Sequence, residues 1–175
     1  MKPIRPGILT SLSFLVVLLI AAPATAKTFQ VEKVMEGIPL GLYLDCLEDK
    51  EHALKIEGIQ DPKLDARWIA SKKKAPGFGF KTSVYWARFT AENKTGEGID
   101  FFLEQFYPLI DNLKIYEPEG DTFRTIEVGD LKKFSDRPYQ NRTFLIPLRL
   151  KSGEMKTYYL RYDSQSSMNM VLKMW

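Results

Sequence analysis

The stretch from Gly77 to Asn93, GFGFKTSVYWARFTAEN, decides the fold class of this chain. A glycine-punctuated loop leads into a run of strand-favouring residues that begins at Val84. Position parity gives this run an apolar face, which consists of Tyr85, Ala87, Phe89 and Ala91. The opposite face carries Trp86, Arg88 and Thr90. One apolar and one mixed face are typical of a half-buried sheet whose open side meets water or a ligand.

The same pattern of short strands and turns continues to the end of the chain. The turn-forming cluster at 92–98 separates the first strand from a second one at Ile99–Phe106, which predicts that the two strands form a hairpin. Further strands are predicted at Leu109–Tyr116, Thr122–Val128, Thr143–Leu150, Lys156–Tyr162 and Met168–Trp175. A helical turn is predicted only between Asp61 and Trp68, because Asp can cap a helix and Pro suits its first position. The sequence therefore predicts an all-β fold, an antiparallel β-sandwich of the jelly-roll type.

Length and charge limit the classes of protein to which the chain can belong. With 175 residues, of which 45% are hydrophobic and 13% aromatic, the chain can bury one ordinary core. The formal net charge of +3 includes Lys2 and Arg5, and without them 23 basic residues face 22 acidic ones. This balance argues against a nucleic-acid partner. The basic run Lys72–Lys74 has no interleaved aromatic residues and is interpreted as a solvated loop.

The N-terminus has the features of a secretory signal. Lys2 and Arg5 precede an apolar run from Ile8 to Ala22, and small residues then lead to Ala26. These features predict a cleaved signal-peptide helix over residues 1–26, followed by a lead-in at 27–40 and a β-sandwich at 41–175. The mature chain is expected outside the cytoplasmic membrane, in a bacterial periplasm.

Residue counts argue against an enzyme. His52 is the single histidine and Cys46 the single cysteine, so a nucleophile with a histidine base has one candidate base, and a zinc site of histidines and cysteines is excluded. Glu104 and Asp111 are candidates for a hydrolytic carboxylate pair, but 22 acidic residues make some such pair inevitable. The turn at Glu117–Asp121 offers oxygen ligands for calcium, yet an ordinary hairpin turn explains it as well. We predict no catalytic residue, no metal and no cofactor.

An ordered series of short motifs covers most of the mature chain. The motifs are GxYLxxLED at 41–49, GF at 79–80, YWxRFT at 85–90, YPLID at 107–111, YxPxG at 116–120, GD at 129–130, RP at 137–138 and YLR at 159–161. In order and spacing, the series resembles the extracellular sensory domain of bacterial seven-transmembrane receptors with diverse intracellular signalling modules (7TMR-DISM). The resemblance implies a jelly-roll sandwich related to carbohydrate-binding modules, which senses a carbohydrate or another small molecule.

In that family, the sensory domain is followed by seven membrane helices and an output domain. This chain stops at Trp175, about where the first of those helices would begin. We therefore expect either a fragment of a receptor or a secreted sensor that works through a partner. The expected partners are a small-molecule ligand and the membrane helices or receptor subunit that this chain lacks.

The candidate ligand-binding residues are aromatic and cationic side chains on strands, together with cations of one loop. Trp86 and Arg88 share one strand face, Tyr159 and Arg161 share another, and the two sets adjoin if their strands lie in one sheet. Arg137 and Arg142, in the polar loop 135–142, complete the set. The alternative interpretation is structural: Trp86 completes a core, and the arginines stack on rings or pair with a carboxylate such as Glu104.

The sequence thus predicts a periplasmic ligand-sensing domain of a bacterial transmembrane receptor, without catalytic activity. A second interpretation is a structural or protein-interaction β-sandwich that docks another periplasmic domain. An exposed apolar patch without a concave pocket would favour this second interpretation.

Overall fold

A computed structural model describes residues 27–175, and the predicted signal peptide at 1–26 lies outside the described residues. The strands are β1 (Phe29–Val31), β2 (Ile38–Pro39), β3 (Asp45–Asp49), β4 (Ile69–Ala70), β5 (Gly77–Phe80), β6 (Val84–Asn93), β7 (Ile99–Gln105), β8 (Asn112–Glu119), β9 (Thr122–Val128), β10 (Phe144–Leu150), β11 (Met155–Asp163), β12 (Ser167–Asn169) and β13 (Leu172–Met174). Three short 3₁₀-helices span Gly41–Tyr43, Pro62–Arg67 and Phe134–Asp136. None of the helices in 27–175 has the length and apolarity needed to cross a membrane.

Two main sheets face each other. The larger sheet has seven strands in the order β4-β3-β6-β11-β8-β9, with β1 pairing in parallel with the C-terminal part of β6. The smaller sheet has the order β10-β7-β13-β2, and β5 with β12 forms a two-stranded ribbon. Apart from β1 with β6, the strand pairs within 27–175 are antiparallel. The predicted all-β antiparallel sandwich is confirmed.

The main core lies between the inner faces of the two sheets, and the parity of β6 is the one that the sequence predicts. Tyr85, Ala87, Phe89 and Ala91 are buried there. Alternate residues of β7 and β10 in the smaller sheet belong to the same core. Among them are Phe101 and Leu148, which are register partners. Period-2 alternation therefore places the apolar side of each strand between the sheets.

The predicted hairpin between β6 and β7 is wrong. The two strands belong to different sheets, and the segment between them crosses from one sheet to the other. Asn93 holds this crossing: its Nδ2 donates to the carbonyl oxygens of Glu97, Leu150 and Lys151 at 2.7, 3.1 and 3.0 Å. Because two of these acceptors lie at the end of β10 and just after it, the crossing depends on long-range contacts.

The segment 27–40, expected as a lead-in, contributes strands to both sheets. β1 pairs with β6 in the larger sheet, and Phe29 and Val31 are buried in the main core. β2 pairs with β13 in the smaller sheet. The sandwich therefore begins before residue 41.

A second apolar cluster lies on the outer face of the larger sheet. Leu47, Trp86, Tyr116 and Tyr159 come from the sheet, and Ile59 and Trp68 come from the segment that covers them. This covering segment, residues 50–68, contains the predicted helical turn, whose N-cap Asp61 accepts a hydrogen bond from the backbone N–H of Lys63 at 2.9 Å. The covering segment closes one part of the outer face and leaves the rest open.

Candidate functional site

The register of β6 and β11 brings the two predicted sets of side chains together on the outer face of the larger sheet. Tyr159 is the register partner of Arg88, and Arg161 is the partner of Trp86. The predicted adjacency of the two strand faces is therefore confirmed. The four side chains nevertheless have different surroundings, and two of them, Arg88 and Tyr159, line the same pocket.

Trp86 is fully buried. Its exposed fraction is 0%, and its ring stacks on Tyr116 with 5.7 Å between the centroids. Leu47 and Trp68 belong to the same cluster. The structural alternative applies to this residue: the indole completes the outer apolar cluster and offers no surface to a ligand.

Arg88 is fixed by two carboxylates and an indole. Its Nε lies 3.1 Å from Oδ2 of Asp45, and its Nη1 lies 3.3 Å from Oδ1 of Asp65. The guanidinium carbon lies 4.5 Å from the ring centre of Trp68, in cation–π contact. Because the side chain is largely buried and held on three sides, the planar guanidinium keeps one orientation.

A pocket of about 360 Å³ opens beside Arg88 and Tyr159. Its lining residues are Thr28, Tyr43, Asp45, Arg88, Phe89, Thr90, Met155, Thr157 and Tyr159. The hydroxyls of Thr90 and Thr157, which are register partners, lie 2.8 Å apart on one side. We call this the Arg88 pocket. It combines aromatic walls with a hydroxyl pair and a charged pair, which is the composition of a site for a polar small molecule.

Tyr159 separates the Arg88 pocket from a neighbouring hollow. The ring packs against Trp68 at 6.3 Å and Phe123 at 6.0 Å between centroids. Burial raises the pKa of Tyr159, and the nearby Arg88 cation partly offsets this rise. The hollow, of about 490 Å³, shares Thr157 and Tyr159 with the pocket and extends to the β8–β9 turn. Tyr159 is therefore the aromatic residue that a ligand in either cavity would meet.

The other predicted cations lie elsewhere or have other partners. Arg161 is paired with Asp163 at 3.0 Å and is not among the residues that line the Arg88 pocket. Arg137 packs over the rings of Phe134 and Phe144, at 4.9 and 4.6 Å, beside the smaller sheet. It also donates to the carbonyl oxygen of Arg142 at 3.1 Å, and Arg142 itself is exposed. The structure does not bring Arg137 and Arg142 to the Arg88 pocket.

Sequence reasoning missed Tyr43, Asp45 and Thr157 as pocket residues. Thr157 carried a usable signal, because it precedes Tyr159 by two positions and must share its strand face. Tyr43 and Asp45 gave no such local signal. They reach the pocket because β3 pairs with β6 in a register that places Asp45 opposite Arg88, 43 positions away.

The residues considered for catalysis or metal binding have structural partners. Nε2 of His52 donates to the carbonyl oxygen of Thr82 at 2.7 Å. Glu104 accepts hydrogen bonds from Thr143 and Trp175, each at 2.7 Å. The Glu117–Asp121 segment consists of the end of β8 and the two-residue turn of the β8–β9 hairpin at Gly120 and Asp121. Within residues 27–175, no group of three or more histidine, cysteine, aspartate or glutamate side chains is arranged to hold a metal ion.

Comparisons with known proteins match most of the described chain to one family. The model of a family described as 7TMR-DISM extracellular 2 matches residues 41–175. No curated protein matches the sequence significantly. Among solved structures, that of TmCBM61 in complex with beta-1,4-galactotriose has 11% sequence identity and a TM-score of 0.38, and the match covers 79% of this chain and 93% of that chain.

Proposed function

The chain belongs to the 7TMR-DISM extracellular 2 family, and we propose that it is the ligand-sensing domain of a bacterial transmembrane receptor. Membership of a family of extracellular receptor domains implies an extracytoplasmic location and a sensory role. In this proposal the domain binds its ligand without transforming it. The membrane helices of the receptor, or a receptor partner that carries them, transmit the signal.

One observation carries the proposal: Arg88 and Tyr159, from neighbouring strands, line the same open pocket. The pocket offers both hydrogen-bond donors and acceptors, since Arg88 donates, Asp45 accepts, and the threonine hydroxyls do both. Arg88 is already held by Asp45 and Asp65, so a ligand meets a preorganised cation and pays little ordering entropy.

A carbohydrate is the ligand class that we propose for this pocket, with other small polar molecules as the broader class. Sugars present apolar C–H faces and many hydroxyls, and they are bound by aromatic rings with nearby polar groups. Tyr43 and Tyr159 supply rings, and the Thr90–Thr157 pair supplies hydroxyls. The largely neutralised charge of Arg88 suits an uncharged ligand better than a strong anion.

The experiment that tests this function is a thermal-shift screen of the purified chain against monosaccharides, oligosaccharides, amino acids and organic acids. A compound that binds the folded state alone raises the melting temperature in a concentration-dependent way. We expect a rise with a carbohydrate, and we expect Tyr159→Phe to reduce it. A folded chain whose melting temperature none of these compounds raises would contradict the proposal.

A second candidate function, a protein-docking module, is supported by the outer face of the smaller sheet. Phe106 and Trp175 are exposed there, at 49% and 45%, and Lys173 lies between their rings, 3.8 and 5.9 Å from the two centres. Exposed apolar area of this kind often marks an interaction surface. This function would be favoured if no small molecule in the screen raised the melting temperature and if Trp175→Ala abolished a contact of the domain with the rest of the receptor.

We also propose that residues 1–26 are a signal peptide, and that cleavage after Ala26 leaves a mature chain that begins at Lys27. The test is the intact mass of the protein recovered after secretion from a bacterial host. A mass that includes residues 1–26 would contradict this division of the chain.

A further inference from the structure

A cleft of about 540 Å³ lies at one open side of the sandwich, where the edge strands β9 and β10 of the two sheets approach each other. Arg124 of β9 bridges the two sheets there, because its Nη2 lies 3.4 Å from the carbonyl oxygen of Pro147 in β10. Residues of both sheets line the cleft. We call it the inter-sheet cleft, and it is separate from the Arg88 pocket on the outer face of the larger sheet.

The floor of the inter-sheet cleft is charged, although it belongs to the inner face of the larger sheet. By strand alternation, the inward-facing positions of β8, β9 and β11 carry apolar core residues along most of their length. At this end of the sheet the same positions carry charged residues, namely Glu117, Arg124 and Lys156. Nε of Arg124 lies 2.9 Å and Nζ of Lys156 lies 3.2 Å from the two carboxylate oxygens of Glu117. The Glu117 side chain is only 6% exposed.

Protection of a sheet edge does not account for this arrangement. Inward-pointing charges on edge strands discourage pairing with other chains, and Arg124 on β9 fits that role. Glu117 and Lys156 do not, because β8 and β11 lie inside the sheet order. The Glu117 carboxylate is buried, whereas Arg124 is 44% exposed, and an ion pair with a buried member is commonly no more stabilising than apolar side chains of similar size. Neither edge protection nor stability therefore accounts for the change from apolar to charged side chains at this place.

A buried hydroxyl adjoins the same floor. Tyr158 lies two positions after Lys156 on the inner face of β11 and is fully buried, with its ring stacked on Phe89 at 5.0 Å. Its hydroxyl has no hydrogen-bond partner among residues 27–175. Burial raises the pKa of Tyr158, and the charges of Glu117 and Glu154, both of which line the cleft, act on it as well. Tyr158 does not line the cleft itself, and its hydroxyl lacks the partner that buried polar groups normally have.

The opposite wall and the mouth of the cleft are apolar and aromatic. Phe101 and Leu148, from the inner face of the smaller sheet, form the wall. At the mouth, the ring of Tyr139 packs edge-on against Phe102, with 4.9 Å between centroids. The cleft therefore presents hydrogen-bonding groups on one side and apolar surface on the other.

We propose that the inter-sheet cleft binds a neutral, polyhydroxylated small molecule of sugar type. Four basic and four acidic side chains line the cleft, so its charge is balanced. An anion would have to displace Glu117 from its two cations, and a cation would have to displace Arg124 and Lys156. Hydroxyl groups both donate and accept, so they can bind between such charges without separating them. The volume lies in the ordinary range of ligand sites.

The experiment is an NMR titration of the chain, expressed from its full sequence, in which the backbone amides are followed. The probes are glucose, galactose and mannose, with glucosamine and glucuronate as charged counterparts. We expect a neutral sugar to shift the amides of Glu117, Lys156 and Tyr158, and the charged counterparts to bind about tenfold more weakly or not at all. Absence of shifts at these amides with every neutral sugar overturns the proposal, as does tighter binding of either charged counterpart.

Two adjacent residues of β11 provide a matched pair of variants. Lys156 lines the inter-sheet cleft and Thr157 lines the Arg88 pocket, because consecutive strand residues point to opposite faces. Lys156→Met removes one hydrogen-bond donor from the cleft while Arg124 keeps its ion pair with Glu117, and we expect affinity in the cleft to fall about tenfold. Thr157→Val should leave that affinity unchanged. Sugar binding that is reduced by Thr157→Val and not by Lys156→Met would overturn the cleft and support the Arg88 pocket, and the reverse pattern would support the cleft.

Discussion

Trp175 donates its indole N–H to Glu104 across the outer face of the smaller sheet, with 2.7 Å between Nε1 and Oε2. The second carboxylate oxygen of Glu104 accepts from Thr143 at 2.7 Å. The ring of Trp175 lies over the α-carbon of Gly37, where a β-carbon would come within 2.8 Å of Cζ2. This contact ties the segment before β2 to β7, β10 and β13.

Gly37→Ala is expected to destabilise the fold. The φ angle of Gly37 is +66°, which strains a residue with a β-carbon, and the added methyl would collide with the Trp175 ring. We expect the free energy of unfolding to fall by about 1–3 kcal/mol, measured by urea denaturation. Gly79→Ala is the matched control, because its φ is +71° but no atom lies within 4 Å of the added methyl. Equal losses in the two variants would contradict a role for the Trp175 contact.

Glu104→Gln tests the hydrogen bonds of the buried carboxylate. A glutamine keeps one acceptor oxygen but turns an N–H₂ group toward a position where Thr143 or Trp175 donates. We expect a loss of about 1–3 kcal/mol in the free energy of unfolding. Asp100→Asn, on the same strand, removes an exposed ion pair with Arg149 and should cost less than about 1 kcal/mol. An Asp100→Asn loss as large as that of Glu104→Gln would contradict this account.

The strand pattern could be predicted from the sequence because burial of one sheet face imposes a period of two. The inward set at Tyr85, Ala87 and Phe89 follows from that period. The relation of β6 to β7 could not be predicted in this way. The composition of a cluster such as 94–98 suits a hairpin turn and a crossing between sheets equally well. The hydrogen bonds of Asn93 to Leu150 and Lys151, which are distant in the sequence, stabilise the crossing.

The candidate site was predictable in part for the same reason. Parity placed Arg88 on the open face of β6 and Tyr159 on the open face of its own strand. Whether such faces adjoin depends on strand order and register between segments about 70 residues apart, which no local signal encodes. Burial of Trp86 could not be predicted from parity either, because the covering segment that buries it lies 18–36 positions earlier in the chain.

Stability should decrease at alkaline pH because of Cys46. Burial, with a smaller effect from the neighbouring carboxylate of Asp45, raises the pKa of the Cys46 thiol from 9.0 to about 12. The folded state thus retains a proton that the unfolded chain releases. The stabilisation is fully present below pH 9 and is lost as the pH rises toward 12, by about 1.4 kcal/mol per pH unit at most.

Urea denaturation between pH 8 and 11 measures this dependence. Tyr85, whose pKa burial raises from 10.0 to about 12, contributes with the same sign at the upper end of the range. Cys46→Ala removes the thiol and should flatten the slope between pH 9 and 10, where Tyr85 contributes little. An identical slope in wild type and Cys46→Ala would show that the thiol is not the group responsible.

Trp86→Phe separates packing from ligand contact. The indole is fully buried against Tyr116, so the smaller ring leaves a cavity, and we expect a loss of about 1–3 kcal/mol in the free energy of unfolding. The loss should lie toward the lower end, because Nε1 has no partner among the described residues and its removal relieves an unmet hydrogen bond. Affinity for a compound bound in the Arg88 pocket should not change, since Trp86 does not line that pocket. Tyr159→Phe is expected to show the opposite pattern, with little change in stability and weaker binding. If Trp86→Phe instead abolished binding at unchanged stability, the covering segment would have to open in solution and expose the indole to the ligand.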